Sequence, residues 1–326
     1  MADTRTQHIT VDGIGSVDLI FTERGEGRPF VILHGGAGPQ SVTAFADLLA
    51  ETEHVRAITP SHPGFGGTPR PDALDSVRGL ASVYVALLDG LELDDVTVIG
   101  NSIGGWIGAE MALLGSTGMG GLIIVDGVGI EVPGHPVVDF FSLTMDQVAD
   151  LSYHRPDSFR IDPSKMPPAQ QAAMAGNRAA LAVYGGAMVD PTLRGRLRAI
   201  TVPTLVLWGE SDRIADPDYG RAFADAIPTA RFQLLRETGH VPHAATTQRD
   251  QGALTIHARC RQRSVDAGEH RQLLRRFPGR YHVQLCRNAI GRQRIHQRLS
   301  PALDMFVGHH ENAPTLPSHV NGGGFQ

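Results

Sequence analysis

Two periods of hydrophobicity alternate along most of the chain. Short runs rich in β-branched and apolar residues fall at His8–Val11, Val17–Phe21, Phe30–Leu33, Val55–Thr59, Val96–Ile99, Leu122–Val125, Thr204–Trp208 and Arg231–Leu235, each with the length and composition of a strand. Between them apolar residues return at helical spacing, most clearly at Val77, Leu80, Tyr84, Leu87, Leu88 and Leu91, which predicts a helix with one buried face. This alternation predicts an α/β fold: a mostly parallel sheet of about eight strands with helices on both faces. Val96-Thr97-Val98-Ile99 is apolar or β-branched throughout, as a strand covered on both faces requires. The first two runs flank Asp12-Gly13-Ile14-Gly15 and predict an antiparallel hairpin at one edge.

The pattern breaks twice. From Glu131 to Arg194 prolines interrupt it, among them 133, 136, 156, 163, 167 and 168, leaving helical patches at Leu143–Leu151 and Ala169–Tyr184. This predicts a small helical cap, 131–195, inserted over one end of the sheet between two parts of the core, 1–130 and 196–245. The second break is at residue 246. Residues 246–326 hold 12 arginines, no lysine and five acidic residues, a local charge of +7 against −12 for the first 245, although the whole chain carries −5. Three readings of this segment compete: an out-of-frame translated extension, a disordered basic tail that binds anions or nucleic acid, and a divergent folded extension.

Composition narrows the chemistry. Lys165 is the sole lysine and no Gly-Lys-Ser/Thr triplet occurs, so a Walker-type phosphate loop is excluded. The only cysteines, Cys260 and Cys286, lie in the final segment and build neither a disulfide framework nor a multi-cysteine zinc site. No His-Glu-x-x-His is present, and no metal or cofactor is expected. The net charge argues against a whole-surface nucleic-acid binder, the basic tail apart. The first eight residues lack an apolar signal region, and no stretch approaches the roughly 18 apolar residues of a membrane span. A cytoplasmic protein with a small-molecule substrate is the expectation; the oligomeric state is not legible.

Gly100-Asn101-Ser102-Ile103-Gly104-Gly105 follows the run Val96–Ile99 and precedes a helical pattern through Trp106, Ile107 and Met111. Gly-x-Ser-x-Gly between a strand and a helix is a nucleophile elbow, with the serine on a tight, strained turn. The Ile103 N–H then sits at a helix start, where it favours a negative oxygen. His34-Gly35-Gly36-Ala37-Gly38 ends another strand, and Gly36 is the second candidate donor to an oxyanion. A serine nucleophile needs a base and an orienting acid. Asp212 follows the strand Thr204–Trp208 and His240 follows Arg231–Leu235, both at carboxyl ends, where open α/β sheets bind ligands. Asp126 and Glu210 compete with Asp212 for the acid, His62 is expected as a loop residue, and His243 lacks the further ligands of a metal site.

These residues resemble the α/β-hydrolase superfamily, in the group with a cap after the sixth strand, over about residues 8–245. The likeness rests on His34-Gly35-Gly36, Pro63-Gly64-Phe65-Gly66, the Ser102 elbow, Gly209 through Asp212, and Gly239-His240. It implies a carboxylesterase-like serine hydrolase with the triad Ser102, Asp212 and His240 and an oxyanion hole at Ile103 and Gly36. Gly35, Trp106, Phe140 and Phe141 are the candidates for substrate binding, with Tyr153, Phe159 and Tyr184 as further cap aromatics. The string around Ser102 is also similar to that of the carbon–carbon bond hydrolases of aromatic-ring catabolism. Those usually carry a tryptophan after the catalytic histidine, where this chain has Val241. A non-catalytic binding protein on the same fold is the third reading. The resemblance also implies a final sheet-covering helix, which the sequence after His243 does not supply.

Overall fold

The computed structural model describes residues 2–243; the expectations for the tail and the missing final helix lie outside the described residues. Eight strands, β1 (Asp3–Val11), β2 (Gly15–Arg24), β3 (Pro29–Leu33), β4 (Arg56–Pro60), β5 (Val96–Asn101), β6 (Met119–Val125), β7 (Thr204–Gly209) and β8 (Ala230–Leu235), form one sheet in the order β1-β2-β4-β3-β5-β6-β7-β8. β1 and β2 make the expected antiparallel hairpin, β2 runs antiparallel to β4, and every other pairing is parallel. The helices are α1 (Thr43–Glu53), α2 (Val77–Gly90), α3 (Ile103–Leu113), α4 (Met145–Ser152), α5 (Pro168–Gly185), α6 (Leu193–Arg196) and α7 (Pro217–Asp225).

The alternation of strand side chains divides the core in two. Val31, Leu33, Val98, Leu122, Ile124, Val206 and Trp208 bury against α2, α3 and α7. Phe30, Ile32, Ile99, Ile123, Val125, Leu205 and Leu207 bury with Phe45 and Leu49 of α1. β5, β6 and β7 are buried at every position, which is why their sequences carry no polar alternation. α2 starts at Ser76, whose side chain accepts the Gly79 N–H, and buries Leu80, Tyr84, Leu87 and Leu88. α3 is buried all round from Ile103 to Met111. Between β6 and β7 the chain leaves the sheet and builds α4, α5 and α6, with α4 and α5 on the two helical patches of the sequence.

Parallel strands share one carboxyl edge. The turns after β3, β5, β6, β7 and β8 therefore converge, carrying His34–Gly38, Ser102, Asp126, Asp212 and His240 to one end of the sheet.

Candidate active site

Ser102 is the N-cap of α3, with φ 56° and ψ −121°. For a residue with a Cβ this is a costly conformation, about 1–3 kcal/mol, and its surroundings impose it. The Ser102 N–H donates to Val125 O (3.0 Å), and the Ser102 carbonyl accepts from Gly105 (3.0 Å) and Val128 (3.3 Å). α3 starts hard against β3: a Cβ on Gly104 would lie 2.3 Å from the Leu33 carbonyl oxygen. Only glycine lets a helix begin there.

The His240 imidazole meets Asp212 through Nδ1 and Oδ2 at 2.8 Å. Asp212 Oδ1 accepts the N–H groups of Ile214 (2.8 Å) and Ala215 (3.2 Å). Three donors thus converge on one buried carboxylate, as suits a charge held away from water. The His240 N–H donates to Ser152 O at the end of α4 (2.7 Å). Asn101, next to Ser102, donates through Nδ2 to Val125 O (3.2 Å) and His240 O (3.0 Å), so one side chain ties the serine turn to the histidine loop.

Asp126 lies beside this pair, fully buried. Its Oδ1 accepts the Gly209 N–H at 2.7 Å, and its Oδ2 has no hydrogen-bond partner among the described residues. Burial, and then the charge of neighbouring Asp212, pushes its pKa well above the usual carboxylate range. Oxygens of the two aspartates and a nitrogen of His240 lie within 4.8 Å of one another. A cation would have to compete there for lone pairs of Asp212 already directed at two amides and the imidazole. The histidine pairs with Asp212, and Asp126 serves the Gly209 turn. Glu210 points elsewhere, accepting from the Glu237 N–H.

The glycine turn after β3 lies directly against the elbow: a Cβ on Gly35 would sit 3.2 Å from Ser102 Cβ. Within that turn the Gly38 N–H bonds the Gly35 carbonyl at 3.1 Å, and the Gly36 N–H has no main-chain acceptor among the described residues. Ile103 is the first residue of α3, so its N–H has no helical carbonyl to bond. These are the two amides expected to face an oxyanion.

α5 lies across this turn. Leu181 sits over Gly36, close enough that a Cβ there would lie 2.7 Å from Leu181 Cδ2. Asn177 donates to Ala37 O (3.2 Å) and accepts from the Gly66 N–H (2.8 Å), and Tyr184 donates to Pro63 O (2.8 Å). The Arg178 Nη2 lies 3.1, 2.5 and 3.3 Å from the carbonyl oxygens of Phe140, Phe141 and Leu143, with the guanidinium over both rings. The sequence reading missed Asn177 and Arg178. For Asn177 the signal was present: with Ala180, Leu181 and Tyr184 it completes the buried stripe of a helix, and a polar residue in such a stripe needs partners.

Of the expected substrate-binding residues, Gly35 adjoins Ser102. Trp106 is packed in the core with its ring against Gly129. Phe140 and Phe141 are half-buried and pack edge-to-face on each other at 5.8 Å; Tyr153 and Phe159 stack at 4.1 Å. Phe140 and Phe141 also pack against the main buried core cluster. His62 belongs to a buried network with His34 and Tyr84.

A serine on a strained strand-to-helix turn, with a carboxylate–imidazole pair at the same sheet edge and two free amides beside it, defines a hydrolase of the α/β type. The chain belongs to the alpha/beta hydrolase family, whose sequence profile matches residues 30–251. It is 26% identical over 245 residues to the 2-hydroxy-6-oxo-6-(2'-aminophenyl)hexa-2,4-dienoic acid hydrolase of Metapseudomonas resinovorans, covering 69% of this chain and 82% of that protein. It is 27% identical over 232 residues to Lipase 3 of Moraxella sp. (strain TA144), covering 66% and 72%. A thermophilic esterase from Thermogutta terrifontis shares the fold, with a TM-score of 0.61 and 22% identity over 78% of this chain and 98% of that one. Among the described residues no helix is long and apolar enough to cross a membrane.

Proposed function

We propose that the protein is a serine hydrolase that cleaves small carboxylic esters through an acyl-enzyme. The observation that carries this reading is the 2.8 Å bond between His240 Nδ1 and Asp212 Oδ2, on a loop bonded to the residue beside Ser102. With Nδ1 donating to Asp212, Nε2 is the basic nitrogen. It takes the Ser102 proton as Oγ attacks the ester carbonyl, then passes it to the leaving alkoxide. Asp212 holds the tautomer and stabilises the imidazolium. The oxyanion forms against the N–H groups of Ile103 and Gly36, each worth on the order of 10²–10³ in rate. Water, deprotonated by His240, releases the acid. This chemistry uses side chains and amides alone and calls for no cofactor.

Carbon–carbon bond hydrolysis of a vinylogous diketone is the second reading, favoured by the relative named for a dienoic acid. Such a substrate carries a carboxylate and calls for a cation in the pocket. The Arg178 guanidinium, on the helix that covers the oxyanion turn, is committed to three cap carbonyls, which favours the neutral ester. The test is turnover of p-nitrophenyl acetate and butyrate beside a 2-hydroxy-6-oxo-dienoate, each with wild type and Ser102→Ala. Ester turnover that falls at least about 10³-fold in Ser102→Ala is expected. Unchanged ester turnover in that variant sinks the reading, and faster cleavage of the dienoate hands it to the second.

A further inference from the structure

Behind the glycine turn lies a chain of buried polar groups that the reaction as described does not use. His34, His62 and Tyr84 are each 0% exposed. The two imidazoles stand 3.7 Å apart, centroid to centroid, tilted by 33°, with the Phe65 ring at the edge of both. Their hydrogen bonds admit one consistent set of proton positions. His62 Nε2 faces the His34 carbonyl oxygen at 2.9 Å; a carbonyl only accepts, so this nitrogen carries the proton. His62 Nδ1 is then bare and accepts the Tyr84 hydroxyl. The His62 N–H donates to His34 Nε2 at 3.1 Å, so that nitrogen is bare as well and the His34 proton is on Nδ1. That proton goes to the carbonyl oxygen of Gly35, 2.8 Å away. Burial keeps both rings neutral, the pKa of His34 falling to about 4 and that of His62 also falling.

The Gly35 carbonyl is half of the peptide whose other half is the Gly36 N–H. Among the described residues no peptide is cis, and a trans peptide is planar with N–H and C=O pointing opposite ways. Holding the oxygen therefore aims the N–H. The Gly38 N–H holds the same oxygen at 3.1 Å, but it belongs to the same turn, whereas the His34 ring is held from outside it by His62, whose own ring is bonded to Tyr84 of α2. Two donors on the oxygen also polarise the amide and strengthen its N–H as a donor.

We propose that Tyr84, His62 and His34 form a buried positioning relay that locks the Gly35–Gly36 peptide, so that the Gly36 N–H is aimed at the oxyanion before substrate arrives. The inference rests on the serine-hydrolase reading above and names residues that touch neither substrate nor Ser102. An amide free to rotate stabilises the transition state only after reorganisation; a locked one contributes in full. The relay thus acts on kcat and leaves substrate binding alone.

Two substitutions at His34 separate aiming from packing. Asparagine can place an amide N–H where Nδ1 sits, while glutamine reaches the Nε2 position and leaves the Gly35 oxygen without its side-chain donor. His34→Asn is expected to keep kcat for p-nitrophenyl butyrate within about 5-fold of wild type. His34→Gln should lose about 10–10²-fold, less than the roughly 10²–10³-fold of removing an oxyanion donor outright because the Gly36 N–H is still present, with KM changed by less than about 3-fold. The inhibition constant of an arylboronic acid, whose serine adduct places an oxygen in the hole, should rise in step with the loss in kcat. Tyr84→Phe, which removes one hydroxyl on α2, should lower kcat by about 3–10-fold with the same parallel loss of boronate affinity, and remains informative if a His34 variant does not fold. Equal kcat and boronate affinity in wild type, His34→Gln and Tyr84→Phe would overturn the relay, as would equal losses in His34→Asn and His34→Gln. Ester activity that survives Ser102→Ala is the separate result that removes the underlying reading.

Discussion

At the level of single residues, the two aspartates beside His240 show how burial assigns roles that residue type cannot. Asp126 and Asp212 both follow a strand and both are buried, yet Asp212 accepts from three donors and Asp126 from the Gly209 amide. Two carboxylates this close cannot both ionise cheaply, and burial beside the Asp212 charge raises the pKa of Asp126. Its raised pKa means that, above the ordinary value of 3.8, the unfolded chain ionises while the folded one stays protonated. The folded state then binds more protons, so stability falls as pH rises through that window. Asp126→Asn removes the titration and keeps an acceptor for Gly209. Its denaturation midpoint relative to wild type is expected to improve between pH 5 and pH 7.5, by up to about 1.4 kcal/mol per pH unit, with kcat within about 5-fold. An unchanged difference between the two pH values counts against a protonated Asp126. Asn101→Ala makes a contrasting case. It strips the bond to His240 O and leaves a buried carbonyl short of a donor, a cost of about 1–3 kcal/mol; kcat is expected to fall at least about 10-fold, measured on the same esters.

Secondary structure elements divide into those whose position follows from local pattern and those that depend on a partner. All eight strand runs of the sequence appear in the sheet: β3, β5, β7 and β8 are one or two residues longer, β6 three, β1 and β2 five, because ladder hydrogen bonds extend past the apolar stretch, and β4 keeps its length but is shifted by one residue. α2 was legible from its stripe, and the structure adds its Ser76 cap. The cap was legible as helical patches, but not the way α5 lies over the glycine turn, since that depends on Asn177 and Arg178 meeting loops more than 30 residues away in sequence. Arg178→Ala is expected to loosen residues 140–143, which it holds by three carbonyls and two rings. Limited proteolysis should cut there first, with KM raised several-fold and kcat less affected. A digestion pattern and KM equal to wild type would show that the segment holds itself. Gly104→Ala tests the start of α3. Its methyl would meet the Leu33 carbonyl, so a loss of about 3 kcal/mol or more is expected, read from the urea midpoint.

For the molecule as a whole, buried neutral histidines set the response to acid. His34, His62 and His243 are all buried with pKa values below the usual 6.5, His34 and His243 at about 4. Between about pH 6.5 and 4 the unfolded chain takes up protons that the folded chain refuses. Stability is therefore lost as pH falls through this window, each histidine contributing about 1.4 kcal/mol per pH unit. The denaturation midpoint is expected to drop steeply from pH 7 to pH 5, and less steeply in His243→Gln. A flat profile would mean that these rings are protonated when folded.

By itself, the sequence determined what depends on neighbours along the chain. Strand composition, helical stripes, the glycines of the elbow and the order Ser102, Asp212, His240 are local or ordinal features, and the parallel sheet turns that order into proximity at one edge. Only the tertiary structure decided which of two aspartates holds His240, which proton each buried histidine carries, and which cap residues rest on the glycine turn. Those outcomes hang on distances of about 3 Å between segments far apart in sequence. No residue type encodes them, because a buried carboxyl, imidazole or amide takes its charge and direction from whichever partners packing brings to it.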